Sequence, residues 1–117
     1  MSVILRRIYE EDHPLEGNRI LIDRVWPSGI SKEKAKLDDW MKEIAPSSSL
    51  RKWFDHDPDK FDNFKKAYQN EITESKMAKT KLQELKKMAT NERLVLLFGT
   101  KDMKHNHAVV LKEMIEE

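Results

Sequence analysis

Two of the chain's apolar runs are followed by side chains that could bind an anion. The first run, Ile20-Leu21-Ile22, is followed by Asp23, Arg24 and Trp26. An arginine guanidinium binds carboxylates and phosphates, and an indole can form the wall of a pocket. We therefore predict that Arg24 and Trp26 bind a polar or anionic ligand. The alternative is that Asp23 and Arg24 pair with each other or with loop backbone, and that Trp26 belongs to the core.

The second apolar run, residues 94–98, is followed by the cation Lys101. A helix is predicted after it, and His105 and Asn106 lie near the first turn of that helix. The unpaired backbone amides of a helix start favour an anion. If both runs are strands that point the same way, Lys101, His105 and Asn106 converge with Arg24 at one edge of a sheet. Ligand crevices of open α/β sheets lie at that edge.

A third set of candidates lies at the junction between two predicted helices. Arg51 stands near the start of the first helix, and His56 stands between Asp55 and Asp57. Neighbouring carboxylates can tune a histidine for general acid or base catalysis. The alternative is that His56 caps the preceding helix and fixes the angle between the two helices. The sequence assigns no catalytic residue and leaves open whether the protein is an enzyme.

The sequence contains few of the residue patterns that bind metal ions or cofactors. The chain has no cysteine and only three glycines, so it has neither a thiolate site nor a glycine-rich phosphate loop. His105 and His107 could be metal ligands, but on a helix their rings point about 200° apart. We expect no metal and no cofactor.

Composition places the chain among small soluble domains. It has 117 residues, of which 37% are charged, and a net charge of +1. That balance supplies no strong electrostatic attraction to nucleic acid. No apolar run approaches the roughly 20 residues that span a bilayer, and residues 1–7 are too short and charged for a signal peptide. We expect one cytoplasmic domain, 1–117, with no membrane contact. The oligomeric state is left open.

The candidate residues depend on three predicted strands. The first covers residues 3–9, the second begins at Arg19, and the third is the apolar run 94–98, which is typical of a buried central strand. The loop 10–18 is shorter than the dozen or so residues of a parallel crossover. The first two strands are therefore antiparallel neighbours, or they are not neighbours.

Helical patterns fill the chain between the second and third strands. Residues 31–45 carry one apolar stripe at helical spacing and end at Pro46. Further helices are predicted to start at Ser47, at Asp57-Pro58 and at Ser75. The alternative is that the last two are one long kinked helix, because no strong breaker lies between them. Asp102 is predicted to cap the final helix. The predicted fold is α/β, with a small central sheet of about three or more strands, several surrounding helices and a long helical crossover between strand two and the last strand.

Several motifs together resemble a known family. They are Asp-Arg-Val-Trp-Pro-Ser-Gly at 23–29 and the segments 37–40, 45–47, 50–58 and 105–111. These resemble the signature of the YeaO-like bacterial proteins (domain of unknown function 488) over nearly the whole chain. The resemblance implies a small soluble α/β protein and no particular activity. Ser28 stands where relatives commonly have arginine, which would weaken an anion site that uses it.

Taken together, these features favour a protein that binds, or acts on, a small polar or anionic molecule at the carboxyl ends of the strands. The ligand-binding candidates are Arg24, Trp26, Arg51, His56, Lys101, His105 and Asn106. One alternative is a nucleic-acid-binding or transcription-related module, although a helix-turn-helix is not recognisable. Another is a protein-interaction scaffold that uses the helical segment 31–89.

Overall fold

Four short segments pair into one parallel sheet in the computed structural model, which describes residues 2–117. The strands lie in the order β1-β4-β2-β3, and each pairs with its neighbours in the parallel direction. Their bounds are Val3–Arg7 for β1, Asn18–Leu21 for β2, Asp39–Trp40 for β3 and Leu94–Phe98 for β4. The predicted α/β class with a central sheet is confirmed.

The central strand is β4, as its sequence predicts. Leu94 is in register with Val3 of β1 on one side and with Asn18 of β2 on the other. Because β4 lies between them, β1 and β2 are parallel but not neighbours, which is the second of the two predicted arrangements. All five residues of β4 are buried.

Five α-helices surround the sheet, and most begin at a side-chain cap. The hydroxyl groups of Ser31, Ser47 and Ser75 each accept a hydrogen bond from a backbone amide three residues later. This satisfies one of the unpaired donors at a helix start. The helices are α1 Lys32–Ala35, α2 Ser48–Phe54, α3 Phe61–Glu74, α4 Lys76–Asn91 and α5 His107–Glu116, with 3-10 turns at Ile8–Glu10, Lys42–Ile44 and Pro58–Lys60.

The predicted helix over 31–45 is wrong. Helix α1 stops at Lys36, which has a left-handed φ of 49°, and β3 follows. The backbone amide of Asp38 donates to the Arg19 carbonyl, and the Asp38 carboxylate accepts from the Arg19 amide at 2.7 Å. These contacts draw the segment onto the edge of β2, so the long helical crossover starts from β3 rather than from β2.

The cap of the last helix also differs from the prediction. The side chain of Asn106, not that of Asp102, accepts from the Val109 amide at the start of α5. Asp102 instead accepts from the amides of Lys104 and His105 and closes a turn before the helix. Aspartate and asparagine are both common N-cap residues, so residue type does not decide between them. Asn106 is the cap because it directly precedes the first helical turn.

Hydrophobic residues pack on both faces of the sheet. Leu94, Leu96 and Phe98 of β4 belong to a large cluster that includes the inner faces of α3, α4 and α5. Val95 and Leu97 point the other way, into a smaller cluster under α1. Side chains alternate between the faces of a strand, so an uninterrupted apolar run is needed to fill both clusters.

A buried arginine ties the loop after β1 and helix α1 to β2. Arg19 is 5% exposed, and its Nη1 lies 2.8 Å from the Oε1 of Glu11. The same guanidinium donates to the carbonyls of Leu15, Ala35 and Lys36. Buried charges are stable only when paired and hydrogen-bonded in this way.

Candidate functional site

A cleft of about 660 Å³ opens at the carboxyl ends of the parallel strands. The segments that follow β1, β2 and β4 form its floor, and α2 and the start of α5 complete it. The residues that line the cleft are Tyr9, Asp23, Arg24, Val25, Trp26, Pro27, Ser28, Pro46, Ser48, Arg51, Lys52, Phe54, Asp55, His56, Phe64, Gly99, Thr100, His105, Asn106 and His107. Six of the seven predicted ligand-binding residues are among them.

Asp23 joins the ends of two strands to helix α5. Its Oδ2 accepts from the Gly99 amide at 2.9 Å, and its Oδ1 lies 2.9 Å from His107 Nε2. The same Nε2 is 3.2 Å from the Ile22 carbonyl, so two acceptors require it to carry a hydrogen. The alignment favours the carbonyl, which leaves the buried Oδ1 without a well-directed donor. These contacts place Asp23 in the floor of the cleft, where it holds the ends of β2 and β4 next to α5.

The Arg24 guanidinium uses some of its donors within the protein and presents others to the cleft. Its Nε donates to the Pro46 carbonyl at 3.1 Å, and its Nη2 donates to the Ala45 carbonyl at 3.2 Å. The predicted pairing of Arg24 with loop backbone is therefore present. Its Nη1 forms no hydrogen bond with any residue between 2 and 117, and the side chain lines the cleft, so donors remain for an anion.

Trp26 forms a half-buried wall of the cleft. Its Nε1 donates to the Ile30 carbonyl at 2.7 Å, and its ring packs edge-to-face on Trp40 with 5.3 Å between centroids. Trp40 in turn donates to the Asp23 carbonyl. The indole of Trp26 thus contributes both to the smaller hydrophobic cluster and to the cleft.

Tyr9 lines the cleft although the sequence interpretation did not select it. Its ring passes beside Gly99, where an added Cβ would be 3.6 Å from Tyr9 Cε2, and its hydroxyl donates to the Ser28 carbonyl at 3.0 Å. The side chain therefore crosses the end of β4 to reach the loop after β2. Its position at the end of the first predicted strand, residues 3–9, was the available signal.

Arg51 and Lys52 are neighbouring cations on helix α2. Both are exposed and both line the cleft. Neither side chain forms a hydrogen bond or an ion pair within the described part of the chain. Lys52 was also missed, because nothing in its local sequence separates it from an ordinary surface lysine.

His56 reaches the cleft through an unusual backbone turn. Asp55 and His56 have φ values of 46° and 55°, in the left-handed region that non-glycine residues seldom adopt. The Asp55 amide ends α2 by donating to the Arg51 carbonyl, so Asp55 and not His56 occupies the cap position. The Nδ1 of His56 lies 3.3 Å from Thr100 Oγ1, across the end of β4.

His105 and Asn106 stand at the entrance to helix α5. The Nδ1 of His105 lies 3.0 Å from Asp102 Oδ2, and Asn106 Nδ2 donates to the Asp102 carbonyl. Hydrogen bonds from the Lys104 amide, followed by those from His105, hold the pKa of Asp102 below its usual value. Lys101 is exposed and does not line the cleft, so it is the one predicted ligand-binding residue that lies apart.

Two negative findings apply to residues 2–117. No three histidine, aspartate or glutamate side chains there are placed to hold a metal ion together. Over the same residues, every helix is too short or too polar to cross a membrane.

Comparison with known proteins gives one family and several relatives. The model of the inactive DUF488-N3 subclade matches residues 2–117. The uncharacterized protein Rv3073c of Mycobacterium tuberculosis is 36% identical over 113 residues, 97% of this chain and 92% of that protein. The uncharacterized protein YeaO of Escherichia coli is 35% identical over 115 residues, 98% of this chain and 97% of its own. No solved structure matches the chain significantly.

Proposed function

Since this chain belongs to the DUF488 family, in the N3 subclade that is described as inactive, we propose that it binds a small anionic molecule in the cleft rather than converting one. The observation that carries this proposal is the pair Arg51 and Lys52. Both are cations whose side chains form no hydrogen bond or ion pair to any side chain or backbone group among residues 2–117, and both line a cleft at the carboxyl ends of parallel strands. Ligands of open α/β sheets bind at that edge.

The other polar groups of the cleft fit an anion as well. Arg24 retains unused guanidinium donors. His56 and His105 contact Thr100 and Asp102 through Nδ1, and their Nε2 atoms make no hydrogen bond within residues 2–117. Asn106 uses both ends of its amide within the protein, so its contribution is to fix the start of α5.

The charge of the lining favours an anion over a cation. Arg24, Arg51 and Lys52 are opposed by two carboxylates, those of Asp23 and Asp55. The Asp23 carboxylate accepts from the Gly99 amide and faces His107, so its charge is largely met within the protein. What remains is a net positive cleft in which an acid group is attracted to α2.

The test is thermal melting in the presence of phosphate. A ligand that binds only the folded form raises the melting temperature by mass action. We expect phosphate to raise the melting temperature of the wild type and to have a much smaller effect on Arg51→Gln and on the double variant Arg51→Gln/Lys52→Gln. Lys87→Gln on α4, an exposed lysine outside the cleft, is the matched control and should keep the full increment.

General salt effects must be separated from binding. Phosphate and sulfate stabilise most folded proteins by being excluded from their surface. That increment is the same in wild type, Arg51→Gln and Lys87→Gln. If all three respond equally to phosphate, the anion acts through the solvent and the proposal is wrong.

A further inference from the structure

We infer that the natural ligand is an organic anion with an aromatic or similar apolar group beside its acid group, and not a simple inorganic ion. The inference rests on the proposed function, because it takes the cleft to be an anion site. It adds the chemical class of the molecule that fills the rest of the cleft.

Exposed apolar side chains in the cleft point to this class. Val25 is 62% exposed and Tyr9 is 40% exposed, and both line the same cleft as Arg51. Single exposed apolar residues are common on protein surfaces, but two of them in a concave site, next to the indole of Trp26, provide a surface that a hydrated ion would leave uncovered.

The volume of the cleft also indicates an organic ligand. Sites for organic ligands and cofactors measure about 300–1,000 Å³, and this cleft, at about 660 Å³, lies within that range. Inorganic phosphate would occupy only the part beside the α2 cations. A larger molecule can reach from α2 to the strand ends, where Tyr9 and Val25 stand.

The apolar part of the cleft is held in place by contacts within the protein. The Tyr9 hydroxyl donates to the Ser28 carbonyl, and the guanidinium of Arg7 lies over its ring at 4.8 Å from the centroid. The Trp26 ring is fixed by Trp40 and by its bond to the Ile30 carbonyl. Side chains that are already ordered lose little entropy when a ligand packs on them, which favours binding.

The experiment compares inorganic phosphate with phenyl phosphate, which adds one ring to the same acid group, and with phenol, which has the ring alone. Titration calorimetry on the wild type should show phenyl phosphate binding about tenfold more tightly than inorganic phosphate, because covering part of the ring contributes roughly that factor. Phenol should bind weakly or not at all.

Two variants test the apolar part and the cationic part of the cleft separately. Val25→Ser, at an exposed position, should reduce the advantage of phenyl phosphate while inorganic phosphate binds as before. Arg51→Gln should weaken both phosphates together. Lys87→Gln should change neither, and circular dichroism establishes that each variant is folded.

The outcomes separate the two proposals. Equal affinity for the two phosphates, both lost in Arg51→Gln, would overturn the aromatic ligand and leave the anion site standing. Binding of neither phosphate would overturn both proposals. Phenol bound as tightly as phenyl phosphate, with no effect of Arg51→Gln, would show an apolar site and would overturn both as well.

Discussion

At the scale of single residues, the tyrosine Tyr68 shows how a buried polar group is accommodated by a hydrogen bond. Tyr68 is completely enclosed in the large hydrophobic cluster, and its hydroxyl donates to the Ile44 carbonyl at 2.5 Å. Burial raises the pKa of Tyr68 well above 10.0, and the charges of Glu71 and Asp23 act in the same direction. The phenol therefore stays protonated and holds the 3-10 turn 42–44 against α3.

The raised pKa of Tyr68 makes stability depend on alkaline pH. A group whose pKa is higher in the folded state contributes stability below its unfolded pKa, and this is lost as pH rises through the folded value. We expect Tyr68→Phe to lower the free energy of unfolding by about 1–2 kcal/mol at pH 7, because the Ile44 carbonyl loses its donor. Above pH 10 the difference between variant and wild type should shrink. Urea unfolding across that range measures it, and a constant difference would contradict the assignment.

The buried pair of Arg19 and Glu11 gives a second prediction. Arg19→Met should destabilise the fold by about 3–5 kcal/mol, because it removes the buried cation that lies 2.8 Å from the Glu11 carboxylate and leaves that carboxylate only the distant, exposed Arg6. Arg6 is the matched control, since it lies 4.0 Å from the same carboxylate but its side chain is 47% exposed. Arg6→Met should cost no more than about 1 kcal/mol. Urea unfolding measures both variants. Similar losses of unfolding free energy would show that burial of the Arg19–Glu11 pair does not account for its contribution to stability.

At the scale of secondary structure, elements with a strong local sequence pattern were predictable and elements with a weak one were not. The run 94–98 and the helix cap Ser47 could be identified from the local sequence, whereas the break before Ser75 could not be decided from it. β3 has only two residues, and its pairing with β2 depends on contacts of Arg19 that no local pattern shows. The apolar stripe over 31–45 has helical spacing, yet these contacts outweigh it.

The candidate site could be predicted in part for the same reason. Parallel strands end at one edge, so the shared location of Arg24 and His105 followed from strand direction alone. Tyr9, at the end of the first predicted strand, could have been selected by the same argument once the strand was known to be parallel, whereas Lys52 could not. Tyr9 reaches the cleft across the end of β4, and the orientation of α2 that brings Lys52 to the cleft is set by tertiary packing.

The central strand provides the prediction at this scale. Leu96 is fully buried and in register with Leu5 and Ile20. Leu96→Asp should abolish the cooperative fold, because an unpaired charge cannot be retained there. Met77→Asp makes a comparable change on α4 at a side chain that is 61% exposed, and it should melt like the wild type. A folded Leu96→Asp in circular dichroism would refute the central position of β4.

At the scale of the whole molecule, charge is nearly balanced. The net charge is +1 although 37% of residues are charged. Tight binding to nucleic acid depends on the release of counterions by clustered cations. The lysines of α4 do not form such a cluster, since Glu84 interrupts them and pairs with Lys81 at 3.4 Å.

We therefore predict no tight, sequence-specific binding to DNA. In fluorescence anisotropy with duplex DNA at physiological salt, the protein should show no nanomolar affinity. A nanomolar affinity that falls steeply as salt rises would reverse this expectation and favour the nucleic-acid-binding alternative.

The order of the strands also determines when the sheet can form during translation. β2 can pair early with β3, which follows it by about 20 residues, but β1 lies at the edge of the sheet and pairs with β4, which follows it by about 90 residues. At about 5–20 residues per second, a ribosome leaves β1 without its partner for roughly 5–20 seconds. During that interval the unpaired strand edges are open to chaperones or to a second nascent chain. The arrangement that brings the strand ends together at one cleft thus also delays assembly of the sheet until most of the chain has been synthesised.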